Sequence, residues 1–392
     1  MKDKAYVTPE LIKWARLTSK LSIEEVAKKL GVKSEKIELW EKGEDAPTIN
    51  QAEKLSKHYR RPLAVFYLPE PPEDFQTLRD FRKEQDKREY STALTFMIRE
   101  IQNKQNWLSN FLEDEGEERL PFIGKYYVAS EAKEIAQDIL DVLNVRKDYF
   151  TKISANENIL NYWIKKIEDQ RIFVSLTSNI HSHLTISRDE VRGFAISDSY
   201  APFIYVNSDD TKNGQLFTLI HELAHLWVDS SGISAFDSLV FRDEYDKFSP
   251  IEKLCNEVAA EILMPKDKIT RIVSDVSVGI NTIEITAKYF RVSPYAVAVR
   301  LLNLNKIPTQ NFQRIQRTLK KKYEEFLELE ETKPKPTGGP NYYALQIRKN
   351  SRLFTEYVYS FYKGGRISGF DASSLLDIKI SNFNKLAEKL YV

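Results

Sequence analysis

The sequence is poor in the residues that staple small or secreted proteins together. Among 392 residues there is one cysteine, Cys255, so no intramolecular disulfide framework is possible. The simple expectation is a reducing, cytoplasmic setting. Excess charge of one sign is also missing. Lys plus Arg is 58 against 57 for Asp plus Glu, which removes the whole-chain electrostatic case for a protein that coats a polyanion. Long apolar runs are lacking. The longest, at residues 63–68, has six residues, against the roughly 18 or more of a membrane span. The opening MKDKAYVTPE carries no apolar core of a signal peptide. Histidine is scarce too, at five residues, yet two of the five lie four positions apart. What remains, 42% hydrophobic and 29% charged, is the composition of an ordinary globular chain. Its length fits two or three domains.

Two Pro-rich breaks, at residues 68–73 and 333–340, resist helix and strand and read as linkers. They organise the chain as a helical module at 1–70, a linker and helical segment at 71–130, a larger domain at 131–330 and a tail domain at 341–392. The module shows helix punctuation. Thr8 precedes Pro9, Ser22 pairs with Glu25 as a capping box, Ser34 caps a third helix that stops at Gly43, and Thr48 caps a fourth. Helical periodicity follows at 93–113, 130–143 and 155–169. Short β-rich runs then appear at 171–176, 192–196 and 202–206. The chain is mostly helical again from Gly214. The fold class is therefore multidomain α+β: an all-α module, a domain with a small sheet between helices, and a helical C-terminal region.

The scarce histidines sit in the segment Thr218-Leu219-Ile220-His221-Glu222-Leu223-Ala224-His225. On a helix, positions i and i+4 share a face, so His221 and His225 converge on one point, as two imidazole ligands of a zinc ion must. Glu222 can address a water held there, which suits metal-assisted hydrolysis. A zinc site needs a third protein ligand. The helical segment 252–265 offers Glu252, with Asn256 one turn on to hydrogen-bond a ligand. Glu261, Glu257 and Cys255 compete with Glu252 on spacing alone. His181 and His183 form an i, i+2 pair in a polar loop, where surface histidines are the plain reading.

Together these residues resemble the ImmA/IrrE family of metallopeptidases joined to an N-terminal XRE-type helix-turn-helix. The likeness rests on the histidine-bearing helix and on the run Glu252-x-x-x-Asn256-x-x-Ala259-Ala260-Glu261-Ile262-Leu263-Met264-Pro265. Residues 62–72 with 78–82, and the tail around 369–376, are similar to the linker and the C-terminal piece of the long members. The resemblance implies a zincin-like, gluzincin-type Zn2+ endopeptidase of the bacterial and phage world. Such enzymes act on a transcriptional repressor or another regulatory protein, and so switch on mobile-element or stress genes. It makes His221, His225 and Glu252 the zinc ligands and Glu222 the general base. It also implies that a strand, 192–196 or 202–206, accepts the substrate by β-addition. Tyr205 lies near the site in sequence, although in-strand aromatics usually belong to the core.

The same resemblance implies a DNA-recognition helix at 33–43, with Lys33, Ser34 and Lys36 as candidate contacts. Residues 1–70 carry 14 Lys/Arg and 11 Asp/Glu. Within the recognition helix, however, lysines and glutamates balance, and Glu44 and Asp45 follow. Phosphate binding favours net positive charge, so DNA binding and protein docking both remain open for this module. A second helix–turn–helix unit reads at 282–305, with Ser293 and Pro294 opening its second helix. Regulation without proteolysis, by a sensor or scaffold built on the same fold, is the alternative function. The sequence is compatible with an oligomer and gives no membrane contact.

Overall fold

The computed structural model describes residues 3–72, 79–80, 90–146, 148–149, 153, 158–181, 184–228, 232–233, 249–274, 277–332 and 341–391. The chain forms two units. One comprises Met1–Thr77, Arg88–Asn103 and Ile180–Ile186, and the other Leu78–Lys87, Lys104–Asn179 and Ser187–Val392.

The first unit opens with α1 (Pro9–Thr18), α2 (Ile23–Leu30), α3 (Ser34–Lys42) and α4 (Ile49–Tyr59). Its helix ends are largely those written in the sequence. Ser22 with Glu25, and Thr48 with Gln51, form complete capping boxes. Gly31 and Gly43 end their helices at φ 70° and 75°, the left-handed region where a side chain is strained. One expectation fails, at Ser34, and one holds with a different side-chain partner, at Thr8. Ser34 is the first residue of α3, and its N-cap is Lys33, whose side chain makes no capping bond. Thr8 is the N-cap of α1, but its hydroxyl donates to the Leu68 carbonyl at 2.7 Å and not to the helix. Arg16 ties α1 to α3 through paired bonds to Glu41 at 2.7 and 2.9 Å. Trp40, Leu55, Tyr59 and Phe66 are fully buried between the helices. A 3-10 turn at Leu63–Tyr67 closes the module, and residues 68–72 carry neither helix nor strand, as the proline content dictates. The second Pro-rich break, at 333–340, lies outside the described residues.

A long helix, α5 (Thr92–Asp114), follows. Then come α6 (Ala132–Val142), α7 (Ile159–Glu168), the sheet region, α8 (Lys212–Trp227), α9 (Pro250–Leu263), α10 (Lys266–Val273), α11 (Ile280–Phe290), α12 (Pro294–Asn303) and α13 (Thr309–Thr332). The C-terminal region adds α14 (Tyr342–Asn350), α15 (Arg352–Lys363), α16 (Gly369–Leu376) and α17 (Phe383–Leu390). The α+β organisation read from the sequence is borne out: a helical N-terminal region, a small-sheet domain with helices and a helical C-terminus. The helix–turn–helix at 282–305 is present as α11 and α12. Ser293 caps the Ala296 amide, and Arg291 turns the chain at φ 57°.

The sheet holds β1 (Arg79–Asp80), β2 (Phe173–Leu176), β5 (Gly193–Ile196), β6 (Phe203–Val206) and β7 (Gly232–Ile233), in the order β1-β7-β5-β6-β2. A separate ribbon pairs β3 (Asn179–His181) with β4 (Leu184–Thr185). Strand β6 is parallel to β2 and antiparallel to β5. The register sets the two faces. Gly193 pairs with Val206 and Ala195 with Ile204, while Phe194 pairs with Tyr205 and Ile196 with Phe203. Ala195, Ile204 and Val206 join the main core with α8 and α9. The other face is aromatic. Phe173 stacks on Phe203 at 4.9 Å, Phe194 stacks on Tyr205 at 4.8 Å, and Phe354 of α15 meets Phe203 edge-on at 5.8 Å.

The tail is fastened to that aromatic side by buried polar groups. Ser175 donates to the Lys349 carbonyl at 2.6 Å. The Ser351 hydroxyl caps the Phe354 amide and donates to Glu168 at 2.6 Å. Burial pushes the Glu168 carboxyl up from 4.5 to about 7, against the hydrogen bonds from Ser351 and Leu353 that favour its ionised form. In the unfolded chain it ionises near the ordinary value. Between the two values the folded state therefore holds more protons, and stability falls as pH rises through that window. The expected loss is on the order of 3 kcal/mol. Glu168→Gln keeps an acceptor for Ser351 without the charge. Urea denaturation at pH 5 and pH 8 in a chelator should show a smaller pH-dependent loss in the variant. Equal losses in the two proteins would refute the assignment.

Candidate metal centre

Helix α8 is built to hold a fixed site. Thr211 caps the Gly214 amide at 3.1 Å. The Asp210 carboxylate fills the space that a Cβ on Gly214 would need, since its Oδ2 lies 2.2 Å from that ideal position. Arg192 pairs with Asp210 at 3.5 Å, and both are nearly buried. The other end is closed by the loop after α5. The Gly124 and Tyr126 amides donate to the Leu226 and Trp227 carbonyls at 3.0 and 2.9 Å. The Trp227 indole stacks on Phe122 at 4.5 Å and donates to Asp138 at 2.8 Å. With both ends satisfied, every residue from Gln215 to Trp227 is buried.

His221 and His225 face one another with their Nε2 atoms 3.0 Å apart. Helix α9, begun by Ser249 capping and Pro250, packs across α8 and brings Glu252 to them. Its Oε2 lies 3.3 Å from His221 Nε2 and its Oε1 3.2 Å from His225 Nε2. All three residues are at most 1% exposed. Ligand atoms bound tetrahedrally at roughly 2.0–2.1 Å stand about 3.3 Å apart. The three donors already lie at about that separation, and two imidazoles plus a carboxylate are a donor set that zinc accepts. These residues fit the metal that the motif implies. The protonation states fit as well. Burial lowers the pKa of His221 and so favours its neutral form, outweighing the pull of Glu252. Burial would raise Glu252, but the two histidines outweigh it and hold the carboxyl at about 2. Neutral imidazole and ionised carboxylate are the metal-binding forms.

Of the competing third ligands, Glu252 is the one the structure brings to the histidines. Glu261 is engaged with Arg300 and with the Lys266 amide. Glu257 is exposed. Burial, with Glu252 and Glu222 nearby, pushes the Cys255 thiol well above its usual range, away from the thiolate that a metal needs. Asn256, one turn beyond Glu252, stands near His221. Glu222 is fully buried beside them. The His181 side chain and His183 lie outside the described residues.

One sequence expectation, addition of a substrate strand at 192–196 or 202–206, needs correction. Strand β6 (203–206) cannot take an added strand, because β5 and β2 use both of its edges. Strand β5 (193–196) has β6 on one side and β7 on the other, where Phe194 pairs with Ile233 and Ala195 with Gly232. Tyr205 is fully buried on the aromatic face, the core position expected of an in-strand aromatic.

The residue that sequence reasoning missed is Gly193. An ideal Cβ there would stand 2.5 Å from Thr218 Cγ2, 2.8 Å from the Tyr205 carbonyl oxygen and 3.1 Å from Glu222 Cγ. The first strand position thus rests directly on the helix beside the buried carboxylate. An isolated glycine within a strand is the available signal for such an approach.

Residues 179–302 match the family model described as the IrrE N-terminal-like domain, Peptidase_M78. Residues 12–66 match the helix-turn-helix model HTH_3. The resemblance to ImmA/IrrE metallopeptidases with an attached XRE-type module is therefore borne out in both of its parts. No curated protein matches the chain. Among the described residues no helix is long and apolar enough to cross a membrane.

Proposed function

We propose, taking the metallopeptidase-type domain and the helix-turn-helix as premises, that this protein is a cytoplasmic zinc-dependent endopeptidase. Its substrate is a regulatory protein, such as a repressor or antitoxin-like partner. The observation that carries the reading is the convergence of three buried donor groups, with contacts of 3.0, 3.2 and 3.3 Å between them, beside a fourth buried side chain, Glu222. His221, His225 and Glu252 hold the metal, and Asn256 orients the ring of His221. A bound zinc ion lowers the pKa of its water and polarises the scissile carbonyl. The Glu222 carboxylate accepts the proton of the attacking water and returns it to the leaving nitrogen. The apolar surroundings of α8 keep bulk water from these groups and fix the carboxylate.

Elemental analysis tests the ligand set. About one zinc per chain is expected in the wild type, and essentially none in His221→Ala or Glu252→Ala. Zinc retained in Glu252→Ala would show that another group completes the site.

A second reading, regulation through DNA, is favoured by the helix-turn-helix match at 12–66. In it Lys33, Ser34 and Lys36 of the α3 region contact the phosphates or the major groove. Lys33 and Lys36 are exposed, but Lys36 and Lys4 both pair with Asp45. That pairing compensates charge which phosphate binding would use. It leaves the peptidase reading as the stronger of the two.

A further inference from the structure

Beyond the metal ligands, the helices α8 and α9 continue past one another. Asn256 lies one turn after Glu252 and stands near His221. One turn further along α9 comes Ala260, and Phe217 stands one turn before His221 on α8. Between them lies a cavity of about 260 Å³. Its remaining walls come from two other helices: Ala132 at the start of α6, and Ala296 and Val299 of α12. Neither the peptidase chemistry nor the helix–turn–helix reading of α11 and α12 uses this space.

The chemistry of the walls selects an occupant. Three alanines from three helices leave room where larger side chains would close it. Phe217, Met264 and Val299 supply apolar surface. The buried charged wall group, Arg300, pairs with Glu261, and its Nε donates to the Met264 carbonyl at 3.3 Å, while the other charged wall residues, Lys133 and Glu257, are exposed to solvent. The Arg300 and Glu261 charges compensate one another and Lys133 and Glu257 stay in solvent, so a charged side chain carried past them into the buried part would meet no free opposite charge. A cavity of roughly 150 Å³ suffices for benzene, so this one accepts a large aliphatic or aromatic side chain.

Position along the helix completes the argument. At about 1.5 Å per residue, Asn256 and Ala260 stand about 6 and 12 Å along α9 from Glu252. An extended peptide advances about 3.3 Å per residue. A side chain in the cavity therefore belongs to a residue about two to four positions from the bond at the metal.

Resting on the peptidase reading, we infer that this cavity is the specificity pocket. It selects substrates with Leu, Met or Phe at one position near the cleaved bond and rejects charged residues there. Ala260 and Ala296 set its depth.

The test uses the zinc-loaded full-length protein and a positional-scanning library of quenched fluorescent peptides. The wild type should prefer Leu, Met and Phe over Lys and Glu at one position. Ala260→Trp should lower kcat/KM at least about tenfold for those peptides, and less than about twofold for peptides with Ala or Gly there. Ala296→Phe should act alike, which guards against a folding defect in either variant. Zinc content should stay unchanged in both. A parallel readout needs no turnover. N-acetyl-leucinamide and N-acetyl-phenylalaninamide should give saturation-transfer NMR signals with the wild type that are lost in both variants, while N-acetyl-lysinamide gives none. Amide binding without cleavage of any peptide would sink the peptidase reading and keep the pocket. Cleavage without side-chain preference, or equal Leu-amide binding by wild type and zinc-replete variants, would overturn the pocket and leave the peptidase standing.

Discussion

Glu222→Gln should retain about one zinc per chain and lose roughly 10²–10⁴-fold in cleavage rate, the range that a positioned proton-transfer group contributes. The substitution keeps size and shape, so the packing of α8 is preserved. It removes only the carboxylate's ability to take a proton. The contrast with His221→Ala is informative because that variant should lose metal and activity together. Cleavage at the wild-type rate by a zinc-replete Glu222→Gln protein would remove Glu222 from the mechanism. A wild type that binds zinc and cleaves no peptide or partner would move the function toward regulation without proteolysis.

Gly193→Ala should be a damaging single-methyl change beside Glu222. The added carbon would fall 2.5 Å from the Thr218 methyl and 2.8 Å from the Tyr205 carbonyl oxygen. The carbonyl belongs to a sheet paired on both sides and yields little. Overpacking of this kind destabilises by about 1–3 kcal/mol. The remaining relief is to push β5 off α8, and Glu222 Cγ is the third atom in the way. A displacement near 1 Å can lower catalysis about 10²-fold. The expected result is a lower thermal midpoint and slowed cleavage with zinc still bound, because neither histidine is among the atoms nearest the added carbon. Wild-type stability and rate in this variant would mean that the strand and helix are not held as described.

The helix chemistry was legible because it is local. A spacing of four places His221 and His225 on one face, and the capping boxes at Ser22 and Thr48 span three residues each. Glu252 was reachable through a second local pattern. What stayed hidden depends on partners far apart in the chain. The cap on the end of α8 comes from Gly124 and Tyr126, about a hundred residues earlier. The bond between Glu168 and Ser351 spans 183 residues. The facing of Tyr205 was hidden for another reason. All four residues of β6 are buried, so the in–out alternation that distinguishes the two sides of a strand is absent. Strand β7 has two residues, too few for any period to register.

The aromatic side of the sheet bears on what can be detached. The matched segment 179–302 begins after β2 and ends before α14 and α15. A fragment cut to those limits would strip β6 of its β2 neighbour and leave Phe203 without Phe173 and Phe354. Such a fragment would present a bare Phe203 ring and an unpaired backbone edge, a recipe for self-association. The piece that can stand alone is thus expected to be larger than the matched segment, taking in β2, α14 and α15.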